Sequence, residues 1–279
     1  MFFLDRVRRD AHILILTTSL GIALVTALPA AGSSVAPQDR RDVRIGDVIA
    51  GPLWAEWSRR YVRPSGRVVD TAARGASHSE GQGYGMLLAV AAGDRAAFDR
   101  IWGWTQANLA VRLDNLFAWR WDPASRAVSD RNNATDGDIL IAWALAEAAD
   151  LWNAPAYADA GASIAGAIAR HLVIEVVGVG PVLLPAHFGF AQSDQPDGPV
   201  VNLSYWVFPA FLRLAQLAPT RDWESVRRSG LAILDAIQSQ APARVGNWTA
   251  LVDRKAAPAR RFPAKAGYDA VRIPLYLAF

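Results

Sequence analysis

Apolar positions along the chain recur mainly at the three- and four-residue spacing of helices, and little of the chain alternates as an exposed strand does. The spacing predicts eight helices, over residues 54–61, 83–92, 95–107, 138–151, 157–171, 205–217, 223–239 and 270–279. Residues 173–198 are the least helical part, because glycine and proline punctuate them, and VIEVVGVGPVLLP predicts a short hairpin on the outside of the molecule. The pattern therefore predicts an all-α fold.

A weak repeat relates four of the predicted helix starts. Each start carries a polar residue, and the intervals between them are 56, 68 and 65 residues: Glu80, Asp136, Ser204 and Asp269. An unusually apolar helix follows each start and a more mixed helix tends to come next, which is typical of inner and outer helices. Helical pairs wound into a ring form an α/α toroid, and its inner helices begin on one face. The four polar residues are therefore expected around one groove.

The N-terminal segment predicts export. Arg6, Arg8 and Arg9 precede an apolar run that ends near Ala27, and small residues follow it. We expect residues 1–32 to be a cleaved signal peptide, 33–47 a polar segment and 48–279 the catalytic domain, and we expect the protein to be secreted or periplasmic. An uncleaved membrane anchor is the alternative, because the apolar run is nearly long enough to span a bilayer.

The composition of the chain limits the kinds of catalytic site and partner that it can have. The chain has no cysteine, which removes thiolate nucleophiles and cysteine-ligated metals, and its four histidines lack the spacing of a metal site. We expect no metal and no cofactor. A net charge of +3 without a long basic run argues against nucleic acid as a partner. We expect a monomer without a membrane span after leader removal, and we expect His78 to be a solvent-exposed loop residue.

Glu80 is the first candidate acid. It lies in HSEGQGYGMLLAV, where Gly81, Gly83 and Gly85 would let the backbone approach a ligand and Tyr84 offers a stacking face. Capping of the following helix explains Glu80 equally well. A helix N-terminus also lowers a carboxyl pKa, whereas a general acid must stay protonated, so burial or a second carboxylate has to outweigh the helix.

Two further segments supply acids. Asp136 and Asp138 lie in NNATDGDILIAWAL, and we assign a functional role to Asp136 and helix capping to Asp138. Asp269 lies in AGYDAVRIPLY with Arg272 three residues later, on the same helical face, a pair that is often only structural. Hydrolysis of a glycosidic bond requires two carboxyl groups, and eleven tryptophans offer flat faces for sugar rings, although core packing explains each of them as well.

Four motifs together resemble glycoside hydrolase family eight: SEGQGYGMLLAV, ATDGDILIAWAL, NLSYWVFPAF and YDAVRIPLY. The chain is most similar to the members that accompany bacterial cellulose synthase. The resemblance implies an (α/α)6 barrel and an endo-acting β-1,4-glucanase that inverts the anomeric carbon. It also implies a β-1,4-glucan chain as substrate and the cellulose synthase complex as a partner.

The resemblance also assigns roles to residues of this sequence. Glu80 corresponds to the proton donor and Asp269 to the base that activates water. Asp136 corresponds to a third acid that contacts the sugar at the cleavage point. Tyr268 and Arg272 flank the base at positions that contact substrate and orient the aspartate. The groove-lining candidates are Tyr84, Trp119, Trp121, Tyr205 and Trp206.

The chain departs from the family at one point. Family members continue well past the base with helices that close the barrel, and this sequence continues for ten residues after Asp269, so we expect a truncated chain. Three alternatives remain: the same chemistry on xylan, chitosan or mixed-linkage glucan, an inactive toroid that only binds glucan, and a structural toroid whose acids are helix caps.

Overall fold

The computed structural model describes residues 51–240, 247–252, 255–263 and 267–278. The predicted leader and the polar segment lie outside these residues and stay predictions. The described part contains eight α-helices: α1 (Gly51–Tyr61), α2 (Ser79–Ala91), α3 (Arg95–Leu109), α4 (Thr135–Trp152), α5 (Pro155–His171), α6 (Phe211–Leu217), α7 (Trp223–Gln240) and α8 (Arg272–Leu277). Within the described ranges, no helix is both long and apolar enough to cross a lipid bilayer.

Inner and outer helices alternate along the first part of the chain, as the sequence predicts. Nine of 13 residues in α2 and 13 of 18 in α4 are buried, against six of 15 in α3 and six of 17 in α5. Burial on all sides of α4 places Ile139, Leu140 and Ile141 in the core, where each contributes about 1.5–3 kcal/mol relative to exposure. The predicted all-α fold built from helical pairs, the (α/α)6 type, is confirmed.

Short antiparallel strands join the helices. The strands are β1 (Ser77–His78), β2 (Arg120–Asp122), β3 (Ala127–Asp130), β4 (Val173–Val176), β5 (Gly180–Leu183), β6 (Val200–Val201), β7 (Thr249–Val252) and β8 (Lys255–Pro258). They form the sheets β1-β2-β3, β4-β5 and β6-β7-β8. The predicted hairpin is β4-β5, paired from Val173 with Leu183 to Val176 with Gly180. Its expected place on the outside is wrong for β5, because Val182 and Leu183 are completely buried.

The helix predicted over residues 205–217 is divided. Short 3-10 helices occupy Leu203–Tyr205 and Phe208–Ala210, and α6 begins only at Phe211. Pro209 lies in the first turn of the second 3-10 helix, the position a proline tolerates because its missing N–H would have no partner there. The apolar spacing alone does not reveal this break.

Glycines bring the starts of α2 and α4 together. A Cβ added to Gly83 would lie 2.6 Å from the Cβ of Leu140, and one added to Gly137 would lie 2.1 Å from Oγ of Ser79 and 2.9 Å from N of Glu80. Real Cβ atoms do not approach this closely, so larger residues would force the two helices apart. The close packing aligns the first turns of both helices and thereby places Glu80 beside Asp136.

The glycines of the Glu80 motif thus have a different role from the predicted one. We expected Gly81, Gly83 and Gly85 to let the backbone approach a ligand. For Gly83 and Gly85 this is wrong: Gly83 packs on α4, and a Cβ on Gly85 would lie 2.8 Å from the side chain of Val68.

Candidate active site

One arginine joins the four predicted helix starts. Nη1 of Arg272 donates to Oε1 of Glu80 at 2.6 Å and to Oδ2 of Asp136 at 2.5 Å. Nη2 donates to Oγ of Ser204 at 3.2 Å and to Oδ1 of Asp269 at 3.3 Å. Residues that are 56, 68 and 65 positions apart in sequence therefore surround a single guanidinium, and the predicted convergence is found.

The three carboxyl groups differ in exposure. The side chains of Glu80 and Asp269 are 29% and 25% exposed, whereas that of Asp136 has no exposed surface. Asp136 also accepts the backbone N–H of Gly137 at 2.9 Å. The sugar contact that the resemblance implies for Asp136 is not available in this conformation, because protein atoms cover the carboxylate. Glu80 and Asp269 are therefore the acids of the cluster with exposed side-chain surface.

The surroundings of Glu80 raise the pKa of its carboxyl group. Burial, and then the charge of Asp136, raise the pKa of Glu80 well above its ordinary value, although Arg272 acts in the opposite direction. Burial also raises the pKa of Asp136, while the charge and hydrogen bond of Arg272 lower it. One positive charge cannot balance three carboxylates, and this favours the protonated form of Glu80. Burial and the second carboxylate outweigh the helix N-terminus, as the acid role requires.

Glu80 is not a helix cap in this structure. The residue before α2 is His78, and no side chain caps the helix there. Glu80 instead contacts Arg272, 192 positions away in sequence. The capping alternative, equally plausible from the sequence, does not describe the contacts that Glu80 makes.

Polar residues without an assigned role complete the cluster. The hydroxyl of Ser204 donates to Oδ1 of Asn202 at 2.7 Å, which leaves the Ser204 oxygen free to accept from Arg272. Nδ2 of Asn247 donates to Oδ2 of Asp269 at 3.2 Å. Ser204 was visible in the sequence as one of the four helix starts, whereas Asn247 precedes a short strand and gave no signal.

Two tyrosines border the cluster. The guanidinium of Arg272 lies 5.2 Å from the ring centroid of half-buried Tyr205, a cation–π contact. The hydroxyl of Tyr84 lies 2.5 Å from that of Tyr276 and so connects α2 with α8. Burial raises the pKa of Tyr84 to about 12. Tyr268 lies in the 3-10 helix Tyr268–Val271 beside the base, and its side chain is outside the described part.

The tryptophans proposed for the groove are mostly in the core. Trp206 is completely buried and donates its indole N–H to the carbonyl oxygen of Leu183, so its assignment to substrate is wrong. Trp119 is 8% exposed and stacks on His78 with 5.5 Å between centroids, which leaves little free face. Trp121 is half-buried, with Arg67 over its ring at 4.9 Å. Helical spacing does not distinguish a buried aromatic residue from one that faces a groove.

His78 and Asp138 also differ from expectation. His78 is 4% exposed, because β1 pairs with β2 and places it beneath Trp119, and burial lowers its pKa to about 3. Asp138 does not cap α4. Its carboxylate accepts the backbone N–H of Phe117 and Nδ2 of Asn133, both at 2.8 Å, and so ties two loops to the start of α4.

We expect Asp138→Asn to destabilise the protein by roughly 1–3 kcal/mol, because the new NH2 group would face the Asn133 amide donor. Burial raises the pKa of Asp138 from 3.8 to about 8, so the folded state keeps a proton that the unfolded chain releases. Stability from this group falls as pH rises from about 4 to 8. Urea unfolding at pH 5 and pH 8 should show a smaller pH dependence in the variant; equal dependence would contradict this role.

Within the described residues, no group of three or more His, Asp or Glu side chains is arranged to hold a metal ion.

A family model described as glycosyl hydrolases family 8 matches residues 45–279. The chain belongs to this family. The four motifs that suggested the resemblance lie within the matched region.

The names of similar proteins agree with this membership. The chain is 39% identical over 232 residues to an endoglucanase of Cellulomonas uda, and 39% identical over 234 residues to a probable endoglucanase of Novacetimonas hansenii. These alignments cover 82% and 80% of this chain, and 64% and 65% of the relatives. The chain therefore spans a little under two thirds of the length of these relatives.

Among solved structures, an endo-β-1,4-glucanase from Acetobacter xylinum is similar at a TM-score of 0.72 and 38% identity, over 81% of this chain and 71% of that one. An endoglucanase from Klebsiella pneumoniae, titled a family 8 glycosyl hydrolase, gives a TM-score of 0.72 at 37% identity, over 81% of this chain and 72% of that one. The fold and the sequence motifs thus point to one family.

Proposed function

We propose that the protein is an inverting endo-β-1,4-glucanase that hydrolyses internal β-1,4-glucosidic bonds of cellulose by a single displacement. The observation that carries the proposal is the cluster of Glu80, Asp269 and Asp136 around Arg272, in which the two outer carboxyls reach solvent and the third is enclosed. The names of the relatives from Cellulomonas uda and Acetobacter xylinum support the substrate.

Glu80 acts as the general acid. Its raised pKa favours the protonated carboxyl group, and its partial exposure lets that proton reach the glycosidic oxygen. Protonation turns the departing sugar into a neutral alcohol, so the bond breaks without a free alkoxide.

Asp269 acts as the base. It removes a proton from the water that attacks the anomeric carbon on the ring face opposite the leaving oxygen. Inverting enzymes hold the two carboxyls about 6.5–9.5 Å apart to leave room for this water, whereas retaining enzymes hold them at about 5–5.5 Å. Glu80 accepts from Nη1 of Arg272 and Asp269 from Nη2, so the two carboxyl groups contact different nitrogens of one planar group.

Asp136 and Arg272 support these two residues. The negative charge of Asp136 favours the protonated form of Glu80, and Arg272 limits the repulsion among the carboxylates. After proton transfer Glu80 becomes a carboxylate, and Arg272 is already in position to stabilise it. Tyr205 holds the guanidinium from its ring face.

Export and a link to cellulose synthesis belong to the same proposal. The leader predicted for residues 1–32 supports a secreted or periplasmic enzyme, and the resemblance of the motifs supports association with a cellulose synthase complex. Contact of substrate with Tyr84 and Tyr268, together with orientation of Asp269 by the buried Arg272, completes the proposed site.

The experiment is hydrolysis of soluble cellulose derivatives by the full chain, followed by proton NMR of the first product formed. We expect internal cleavage and the α-anomer, because a single displacement inverts the β-linkage. Initial release of the β-anomer would contradict the assignment of Asp269 as base. Faster turnover of xylan, chitosan or mixed-linkage glucan would change the substrate, and binding without turnover would leave a glucan-binding toroid.

A further inference from the structure

We infer that Asn247 is a positioning residue for the base: its amide holds the Asp269 carboxylate in the orientation that meets the attacking water. The inference rests on the proposed function. It goes beyond it in naming a residue outside the four motifs, on a segment that the helical pattern does not include.

The amide bridges two points of the base segment. Nδ2 of Asn247 donates to Oδ2 of Asp269 at 3.2 Å, and Oδ1 of Asn247 accepts the backbone N–H of Gly267 at 2.8 Å. The N–H of Gly267 can only donate, so it fixes which end of the amide is oxygen. The NH2 end must then face Asp269. Asn247 therefore holds both the carboxylate and the backbone two residues before it.

Asp269 is held from two sides as a result. Oδ1 accepts from Nη2 of Arg272 at 3.3 Å, while Oδ2 accepts from Asn247. Two donors on different oxygens restrict rotation of the carboxylate plane. Each oxygen keeps a second lone-pair direction, so a water can still be bound and deprotonated.

Asn247 is anchored in the chain beside a buried aromatic cluster. The next residue, Trp248, is 5% exposed and stacks against Phe190 and Phe262, with centroids 5.5 Å and 4.6 Å away, and these two rings lie 5.8 Å from each other. Strand β7 follows at Thr249 and pairs with β6 and β8. A side chain anchored in this way fixes the base relative to the buried cluster of Phe190, Trp248 and Phe262.

Gly267 supplies a second, independent observation. A Cβ added there would lie 2.9 Å from Nδ2 of Asn247, closer than real Cβ contacts. Its φ of −104° is one that any residue adopts, so the glycine serves close approach and not backbone conformation. The glycine at position 267 therefore leaves room for the side-chain amide of Asn247.

Asn247 is the neutral neighbour of the base. In the described part of the chain, the charged or titratable groups that face Asp269 are Arg272 from α8, Glu80 from α2, Asp136 from α4 and Tyr205 from the 3-10 helix. Replacing the amide by a carboxylate would add a negative charge at hydrogen-bonding distance. Ionisation of the base would then require a higher pH.

The test measures kcat and KM against pH on a soluble cellulose derivative. We expect Asn247→Asp to move the acidic limb of kcat/KM upward by on the order of one pH unit. We expect Asn247→Ala to lower kcat on the order of 10-fold with little change in KM, because it removes a hydrogen bond to a charged group. Gly267→Ala should lower kcat in the same direction by displacing the amide. Thermal unfolding midpoints identify any variant that loses activity through unfolding.

The matched control is Asn108→Asp. Asn108 donates to the backbone oxygen of Trp104 within α3, so its replacement should leave the acidic limb at the wild-type pH. Asp269→Asn distinguishes a failure of the proposed base from a failure of the role inferred for Asn247. If it retains the wild-type rate, the proposed base is wrong and the inference falls with it. If it is inactive while Asn247→Asp keeps the wild-type acidic limb and Asn247→Ala the wild-type kcat, the inference alone is overturned.

Discussion

Glu80→Gln is expected to lower the rate of cellulose hydrolysis by about 10²–10⁴-fold, the usual contribution of a general acid. Glutamine has nearly the same size and can accept from Arg272 as Glu80 does, so the cluster keeps its shape. It carries no proton that can be transferred to the glycosidic oxygen. The loss should therefore appear in kcat more than in KM, and it is measured as reducing-sugar release at the pH optimum.

Two comparisons make the result specific to proton donation. Glu175→Gln is a matched control, because Glu175 also lies near an arginine, Arg221 at 3.7 Å, but its side chain is 69% exposed. It should keep the wild-type rate. An aryl glucoside with an acidic leaving group needs little protonation, so Glu80→Gln should recover much of its rate on that substrate. A wild-type rate on cellulose, or equal losses on both substrates, would reject Glu80 as the acid.

Much of the site could be predicted because the start of an inner helix has a recognisable local sequence pattern. The pattern is a polar residue before an unusually apolar run, and it occurs at Glu80, Asp136, Ser204 and Asp269. In a toroid, inner helices begin on one face, so four local signals predict one distant contact set. The structure places all four on the same guanidinium.

The remaining features depend on contacts that no local pattern records. Gly83 allows α4 to approach α2 closely. The residue that requires this is Leu140, which is distant in the sequence, so the residues around Gly83 do not reveal it. Trp206 is buried while Tyr205 beside it borders the site, in a stretch where short 3-10 helices replace the predicted α-helix. Asn247 acquires its partner only when the β7 strand packs beside the base.

Arg272 itself was predicted only as a neighbour of the base. The sequence shows its spacing from Asp269, which equally suits an ordinary helical ion pair. The contacts with Glu80 and Asp136 span 192 and 136 positions and depend on where the fold places α8 relative to α2 and α4. Arg272 is the centre of the cluster because it is buried, whereas an ordinary helical ion pair lies on the surface. Its burial depends on the whole fold and not on the local sequence.

Arg272→Met should therefore have the largest effect on stability. The side chain is 1% exposed and is the shared partner of three carboxyl groups, so its removal leaves buried negative charge unpaired. Loss of one partner of a buried ion pair costs about 3–5 kcal/mol. The measurement is the free energy of unfolding in urea, and Arg213→Met is the matched control, because the partners Glu147 and Asp150 are 36% and 69% exposed. The control should lose about 1 kcal/mol or less.

The pH dependence of Arg272→Met distinguishes lost charge balance from lost packing. The folded-state pKa values of Glu80 and Asp136 are already raised, and the loss of Arg272 removes the main influence that opposes that shift. Groups whose pKa is higher in the folded state keep protons that the unfolded chain releases above about pH 4, so they destabilise the fold increasingly as pH rises. The variant should recover stability relative to wild type between pH 8 and pH 5. A deficit that is the same at both pH values would assign the loss to packing and would remove Arg272 from its electrostatic role.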